Sequence, residues 1–143
     1  MPTLRHVNNG NCPKCEELFN KYEGFNQDLK NWFQEFQGRQ PSAHISCAGR
    51  GKDEQELDFI NKKSRAHFGQ SSHNYNCAVD IFVMQQGLDL YDKNWFETIL
   101  KPNLEPFLKW YGQKDAAFYE LPHVELSDWK DLKDRGVAVL IQE

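Results

Sequence analysis

The run AVDIFVM at residues 78–84 alternates without a break: Val79, Ile81 and Val83 against Asp80, Phe82 and Met84. Successive side chains of a strand point to opposite faces, so this segment commits one face to a core and leaves a carboxylate on the other. Its cover is legible upstream. Residues 13–37 place Leu18, Phe19, Tyr22, Phe25, Leu29, Trp32, Phe33 and Phe36 at helical spacing, with a break predicted at Gly24. Aromatic residues make up 13% of the chain, so much of the core is Phe, Trp and Tyr.

The remaining segments extend this pattern. SAHISCAG (42–49) follows Pro41 and reads as a short buried strand, and DEQELDFINKK (53–63) as a helix with acids in its first turn and lysines in its last. Residues 64–77 form a polar loop. DKNWFETILKPNLEPFLKWYG (92–112) reads as a third helical region kinked near Pro102. AAFYE and HVEL are short strands, SDWKDLKDRG a short capped helix and VAVLI a final strand. The expected architecture over residues 1–143 is one α+β domain, a small and mainly antiparallel sheet covered by helices.

Charge and hydropathy argue against several classes of function. The formal net charge is -4, which argues against nucleic-acid binding through a broad basic face. No apolar run approaches the roughly 20 residues of a membrane helix, so membrane insertion is not expected. MPTLRHVNNGNCPKC lacks the basic-then-apolar pattern of a secretory signal. A soluble, cytoplasmically made monomer is the expectation.

Cysteines stand at 12, 15, 47 and 77, too few for a disulfide framework in a chain of 143 residues. CPKC (12–15) admits three readings: half a zinc knuckle, a redox pair, or a helix start with Pro13 in the first turn. A knuckle needs a second close pair, whereas Cys47 and Cys77 stand alone, which favours the helix start.

SSHNYNCAVD (71–80) sets His73 and Asp80 seven residues apart around a turn that Asn76, tolerant of positive φ, would help to close. ELPHVEL (120–126) supplies His123 between Glu120 and Glu125. Imidazole nitrogen and carboxylate oxygen are both zinc ligands, and catalytic zinc sites use three protein ligands with a fourth position open. His73, Asp80 and His123 would make such a set. His6, His44 and His67 are read as ordinary surface or hydrogen-bonded histidines, His67 being the nearest competitor of His73.

SSHNYNCAVDIF resembles the Ser-x-His-x-x-Gly-x-Ala-x-Asp segment of the D-alanyl-D-alanine and L-alanyl-D-glutamate zinc peptidases. That group includes small phage endolysins and shares its metal-site fold with the hedgehog signalling domain. Ser71, His73, Ala78 and Asp80 match, with Asn76 in place of the usual glycine. ELPHVEL resembles the second segment, a carboxylate three residues before a histidine that is followed by Val-Glu. SCAGRGKDEQ resembles the strand-end Ser-Gly-Tyr-Arg-Ser-x-x-x-Gln, through Ser46, Arg50 and Gln55, with Cys47 and Ala48 replacing glycine and tyrosine and one extra residue before Arg50.

The resemblance implies zinc on His73, Asp80 and His123, Glu120 as general base, Arg50 as oxyanion stabiliser and substrate contact, and Ser71 as a further substrate contact. Gln55 would support the loop. It also implies peptidoglycan stem peptides as substrate and the setting of a phage endolysin, held in the host bacterial cytoplasm until lysis. A chain this compact would be all catalytic domain. Two alternatives stay open: a cytoplasmic D-alanyl-D-alanine dipeptidase or carboxypeptidase, and a zinc-bearing interaction domain without turnover.

Overall fold

The computed structural model describes residues 3–112 and 121–142. Helix α1 (Pro13–Phe19) and helix α2 (Gln27–Arg39) are separate elements. The predicted break falls between them, with Gly24 at φ +90°. A proline in the first turn of α1 leaves no intrahelical hydrogen bond unmade, and the Asn26 side chain caps α2 by accepting from the Leu29 amide at 3.0 Å. Strand β1 (Ala43–Cys47), helix α3 (Lys52–Ile60), a 3-10 turn (Ser72–Tyr75) and strand β2 (Ala78–Val83) follow.

Among the described residues, four antiparallel strands lie in the order β1-β2-β4-β3, where β3 is Leu108–Trp110 and β4 is His123–Leu126. The alternation of 78–84 holds. Val79, Ile81 and Val83 are fully buried in one cluster with Ile45 and with Leu29, Trp32, Phe33 and Phe36 of α2. Trp32 stacks on Phe36 with centroids 5.4 Å apart and gives its indole N–H to the Asn103 carbonyl at 2.9 Å. Truncating a fully buried phenylalanine such as Phe33 or Phe36 to alanine would cost about 3–5 kcal/mol.

Several boundaries differ from expectation for local reasons. Helix α3 stops at Ile60, so Lys62 and Lys63 lie beyond its last turn. Lys62 adopts φ +59°, its amide bonds back to Phe59 O at 3.1 Å, and the Lys63 amide bonds to Asp58 O at 2.8 Å. That pairing is a Schellman stop, here with lysine where glycine is usual. The third helical region is one short stretch, helix α4 (Lys93–Trp95) continuing as a π turn (Phe96–Leu100) and a 3-10 turn (Lys101–Asn103). Leu108–Trp110, expected to be helical, is strand β3. Pro102 opens the final tight turn, and Pro106 biases the residue before it toward extended backbone.

Helix α5 (Trp129–Asp134) begins at Asp128 without a side-chain cap, contrary to the expected capping. VAVLI is not a strand. Val137 and Val139 are exposed, while Ile141 is buried and its amide donates to Asn74 O at 2.8 Å, so the segment folds back on the turn before β2. The strand expected at AAFYE and the candidate base Glu120 lie outside the described residues. No described helix is long and apolar enough to cross a membrane.

Candidate metal centre

Asp80 stands in β2 opposite Cys47 of β1 and His123 of β4, on the face turned away from the aromatic core. The register of β1 slips between Ile45 and Cys47, a local irregularity that re-aims the strand end at this point. His73 comes from the 3-10 turn. Ser71 accepts from the His73 amide at 3.3 Å and Asn74 Oδ1 accepts from the Ser71 amide at 3.1 Å, a reciprocal cap. Asn76 ends the turn at φ +57°, the left-handed conformation expected of it. The strand-end loop presses closely on this turn, because a Cβ at Gly49 would lie 2.5 Å from Asn76 Oδ1. Across that contact the Arg50 amide donates to His73 O at 3.0 Å.

Three ligand atoms meet. His73 Nε2 lies 3.1 Å from Asp80 Oδ1, His123 Nδ1 lies 3.3 Å from the same oxygen, and the two ring nitrogens are 3.2 Å apart. Around a tetrahedral zinc with bonds of 2.0–2.1 Å, neighbouring N and O ligands are separated by about 3.3 Å. The triangle therefore has the size of one face of such a tetrahedron. The outer ring nitrogens are also held. His73 Nδ1 donates to Ala48 O at 2.7 Å and His123 Nε2 to Glu125 Oε1 at 2.7 Å, which turns each inner nitrogen toward the triangle, where its lone pair would meet a metal in place of a proton.

The charges agree with this fit. Burial opposes ionisation of Asp80, yet His73 and His123 beside it hold its carboxyl well below the usual range. Burial likewise opposes a charge on His73, but Asp80 and Cys47 raise it to about 10 in the metal-free protein. The cluster thus carries a carboxylate that attracts a cation, and a bound metal would take the place of the imidazolium protons.

The supports around the triangle were only partly visible in the sequence. Glu125 is buried and fully engaged: Oε1 accepts from His123 and from Ser72 Oγ at 3.0 Å, and Oε2 from Trp129 Nε1 at 2.9 Å and Tyr111 OH at 3.3 Å. Arg50 donates through Nη2 to Asp80 Oδ2 at 3.2 Å and through Nη1 to Gln55 Oε1 at 3.3 Å, with Nε 3.3 Å from Asp58 Oδ2. Gln55 is fully buried, and its Nε2 donates to Ser64 Oγ and to Ala66 O, which ties the loop after α3.

Cys47 groups with His73 and Asp80 as possible ligands, but its sulfur lies 3.8 Å from His73 Nδ1, the nitrogen already bonded to Ala48. His67 stays outside, paired with Glu56 at 2.8 Å and packed on Phe59. Ser72, Tyr111 and Trp129 were missed, because nothing in their spacing marks them as partners of one carboxylate. Asp58 was missed for the same reason.

The triangle opens on a cavity of about 440 Å³. Ser71, Tyr111 and Trp129 line it, with Lys63, Arg65 and Lys130 on its wall beside Arg50.

No family model matches the chain, and no curated protein matches it in sequence. Among solved structures it is similar to the crystal structure of the L-Ala D-Glu endopeptidase ChiX of Serratia marcescens. The match has a TM-score of 0.64 at 17% identity and covers 83% of this chain and 90% of that one. The α+β fold, with its four-stranded antiparallel sheet, is thus one that a known endopeptidase also has.

Proposed function

We propose that this protein is a zinc-dependent peptidase that cleaves the stem peptides of peptidoglycan at an L-alanyl-D-glutamate bond. The observation that carries the reading is the triangle of His73 Nε2, Asp80 Oδ1 and His123 Nδ1, with sides of 3.1–3.3 Å, at the edge of an open cavity. Zinc suits the mixed imidazole and carboxylate donors, and when bound it would polarise the scissile carbonyl and lower the pKa of a water.

The chain's own residues supply the rest. Ala48 O and Glu125 fix the two ring orientations, so the ligand geometry exists before substrate arrives. Arg50 holds the second oxygen of Asp80, and its charge beside the cavity favours a developing oxyanion. Both oxygens of Glu125 are occupied by donors, which leaves the base to another carboxylate. The sequence pattern offers Glu120 for that role: it would take the proton of the attacking water and pass it to the leaving amine. Ser71, which caps the His73 turn, also faces the cavity where substrate would lie.

Charge and the shared fold support this substrate class. The chain is acidic overall, yet Arg50, Lys63, Arg65 and Lys130 line this cavity. Cations gathered in a cleft favour an anionic peptide, and an L-alanyl-D-glutamate linkage carries a free carboxylate beside the scissile bond. The biological setting we infer is a phage endolysin, released from the host cytoplasm at lysis.

Incubation with purified peptidoglycan, followed by mass spectrometry of the fragments, tests the reading. New amino termini on D-glutamate are expected. Release of reducing sugar ends without new amines would make the protein a glycosidase and end this assignment.

A further inference from the structure

Away from the cavity, four more ligand-bearing side chains converge. His6 belongs to the segment that precedes α1, Cys12 and Cys15 stand at the start of that helix, and His44 lies on the edge strand β1. His6 Nδ1 is 3.4 Å from Cys12 Sγ and 3.5 Å from Cys15 Sγ, and His44 Nδ1 is 3.6 Å from Cys15 Sγ. All four ligand atoms lie within 4.8 Å of one another. For zinc bonds of 2.3 Å to sulfur and 2.0–2.1 Å to nitrogen, a tetrahedron separates S from N by about 3.5 Å. The three S–N spacings match edges of such a tetrahedron, and the remaining separations stay within 4.8 Å.

The surroundings prepare these atoms as ligands. Asn8 Nδ2 donates to Met84 O at 2.7 Å, which fixes the amide so that its Oδ1 faces His44 Nε2 at 2.6 Å. His44 therefore carries its proton on Nε2, and Nδ1 presents a lone pair to the sulfurs. Cys15 Sγ accepts from the Ile45 amide at 3.4 Å and from Gln37 Nε2 at 3.5 Å, two donors that hold the sulfur in place beside the histidines. Gln37 is itself buried and anchored, donating to Ala43 O at 2.8 Å and accepting from the Cys12 amide at 3.4 Å.

We propose that His6, Cys12, Cys15 and His44 bind a second zinc ion in a closed, structural Cys2His2 site. Two thiolates offset the charge of the dication, so the filled site is neutral, as its burial requires. Cys12 and Cys15 are each only 2% exposed and His44 is fully buried. Both cysteines border a cavity of about 270 Å³, but at 2% exposure neither sulfur is open to a protein partner, as a redox pair would need. Four protein ligands leave no position for substrate, so the ion would act as a staple. It would join the segment before α1, the first turn of α1 and the edge strand β1. Helix α1 starts at CPKC as expected, and His44, expected to be a surface or hydrogen-bonded histidine, is hydrogen-bonded to Asn8 and fully buried; the proposed ion would add to both readings.

This proposal does not depend on the cavity's function. Its test is metal content and cobalt(II) substitution of the full chain kept under reducing conditions. A thiolate-to-cobalt charge-transfer band in the near ultraviolet is expected. It should disappear in Cys12→Ser and in Cys15→Ser, and persist in His73→Ala and in Cys47→Ser. His6→Ala, outside helix and sheet, should leave the fold intact and weaken metal retention against a chelator at least about tenfold. The proposal is overturned if the cobalt-loaded parent shows no thiolate band, if the band tracks Cys47 instead, or if His6→Ala holds metal as tightly as the parent. A Cys12–Cys15 disulfide in protein purified without reductant and with no zinc bound would also overturn it.

Discussion

The two histidine clusters share one pair of strands and differ in how they are finished. His44 on β1 faces Phe82 across the ladder, and Asp80, two residues along β2, faces Cys47 and His123. Around Asp80 three ligand atoms form a triangle whose open side meets the cavity. Around His44 four ligand atoms, two of them sulfur, close on one another beneath α1. If both clusters bind zinc as proposed, coordination vacancy, more than ligand type, separates a site able to do chemistry from one able only to hold the chain. Carboxylate and an open side suit water and substrate; thiolates and closure suit permanence.

Breaking one cluster while sparing the other is the sharpest way to test that contrast. His73→Ala or His123→Ala should abolish peptidase activity and remove the cavity's metal, while the thiolate–cobalt band survives. Elemental analysis beside the peptidoglycan assay checks this. If both variants keep all metal, the triangle is not a metal site.

Glu120→Ala should separate binding from turnover within the open site. We expect full metal content and a rate lowered on the order of 10²–10⁴-fold, the scale of a lost general base. Steady-state kinetics with metal analysis decides it. A variant nearly as active as the parent would assign the base elsewhere.

Glu125→Gln probes the support of one ligand. The carboxylate accepts the outer N–H of His123, and ligand-orienting partners of this kind are worth about 10–100-fold in metal affinity. A competition titration against a chelator should show that loss, with the cysteine–histidine cluster unchanged. An effect on kcat alone, with affinity intact, would contradict the orienting role.

The smallest effect concerns the contact between the neighbourhoods of the two clusters. Lys21, just beyond α1, pairs with Glu54 on α3, which also accepts from Tyr22 OH. Burial opposes ionisation of Glu54, but the hydrogen bonds from Lys21 and Tyr22 hold its pKa below the ordinary 4.5. A depressed carboxyl pKa contributes stability that is present above the unfolded value and lost as pH falls through the folded one. Both partners are well exposed, so Glu54→Gln should lower stability at pH 7 by about 0.5 kcal/mol or less. The difference from the parent should vanish in acid, below the folded pKa. Urea midpoints measured at both pH values test it, and an undiminished difference in acid would mean packing, not charge, is lost.

Strand β2 shows what was legible. Its alternation is a local property, since each side chain's face follows from its own position along the chain, and the structure keeps Val79, Ile81 and Val83 inside. The aromatic spacing of α2 is legible for the same reason. The turn at Asn76 was legible because a left-handed residue needs a particular kind of side chain. Ligand types at 73, 80 and 123 stood in the sequence, and the resemblance joined them as one set, but no local pattern gave the geometry of their meeting.

Tertiary structure decided the partners. Pairing of β2 with β4 set Asp80 beside His123, and no local pattern encodes a ladder joining residues 43 apart. Trp129, Tyr111 and Ser72 reach Glu125 from three different segments, so their shared carboxylate appears only once the sheet is built. The cysteine–histidine cluster makes the same point. Cys12 and Cys15 are paired by spacing on one helical turn, yet His44 joins them only when α1 lies along the free edge of β1, and His6 only when the leading segment folds over it. Sequence by itself determined which side chains could bind, cap or pack, because those are properties of single residues and short repeats. Which of them meet was decided by strand order and helix placement, because contacts across the fold depend on the burial of the whole chain.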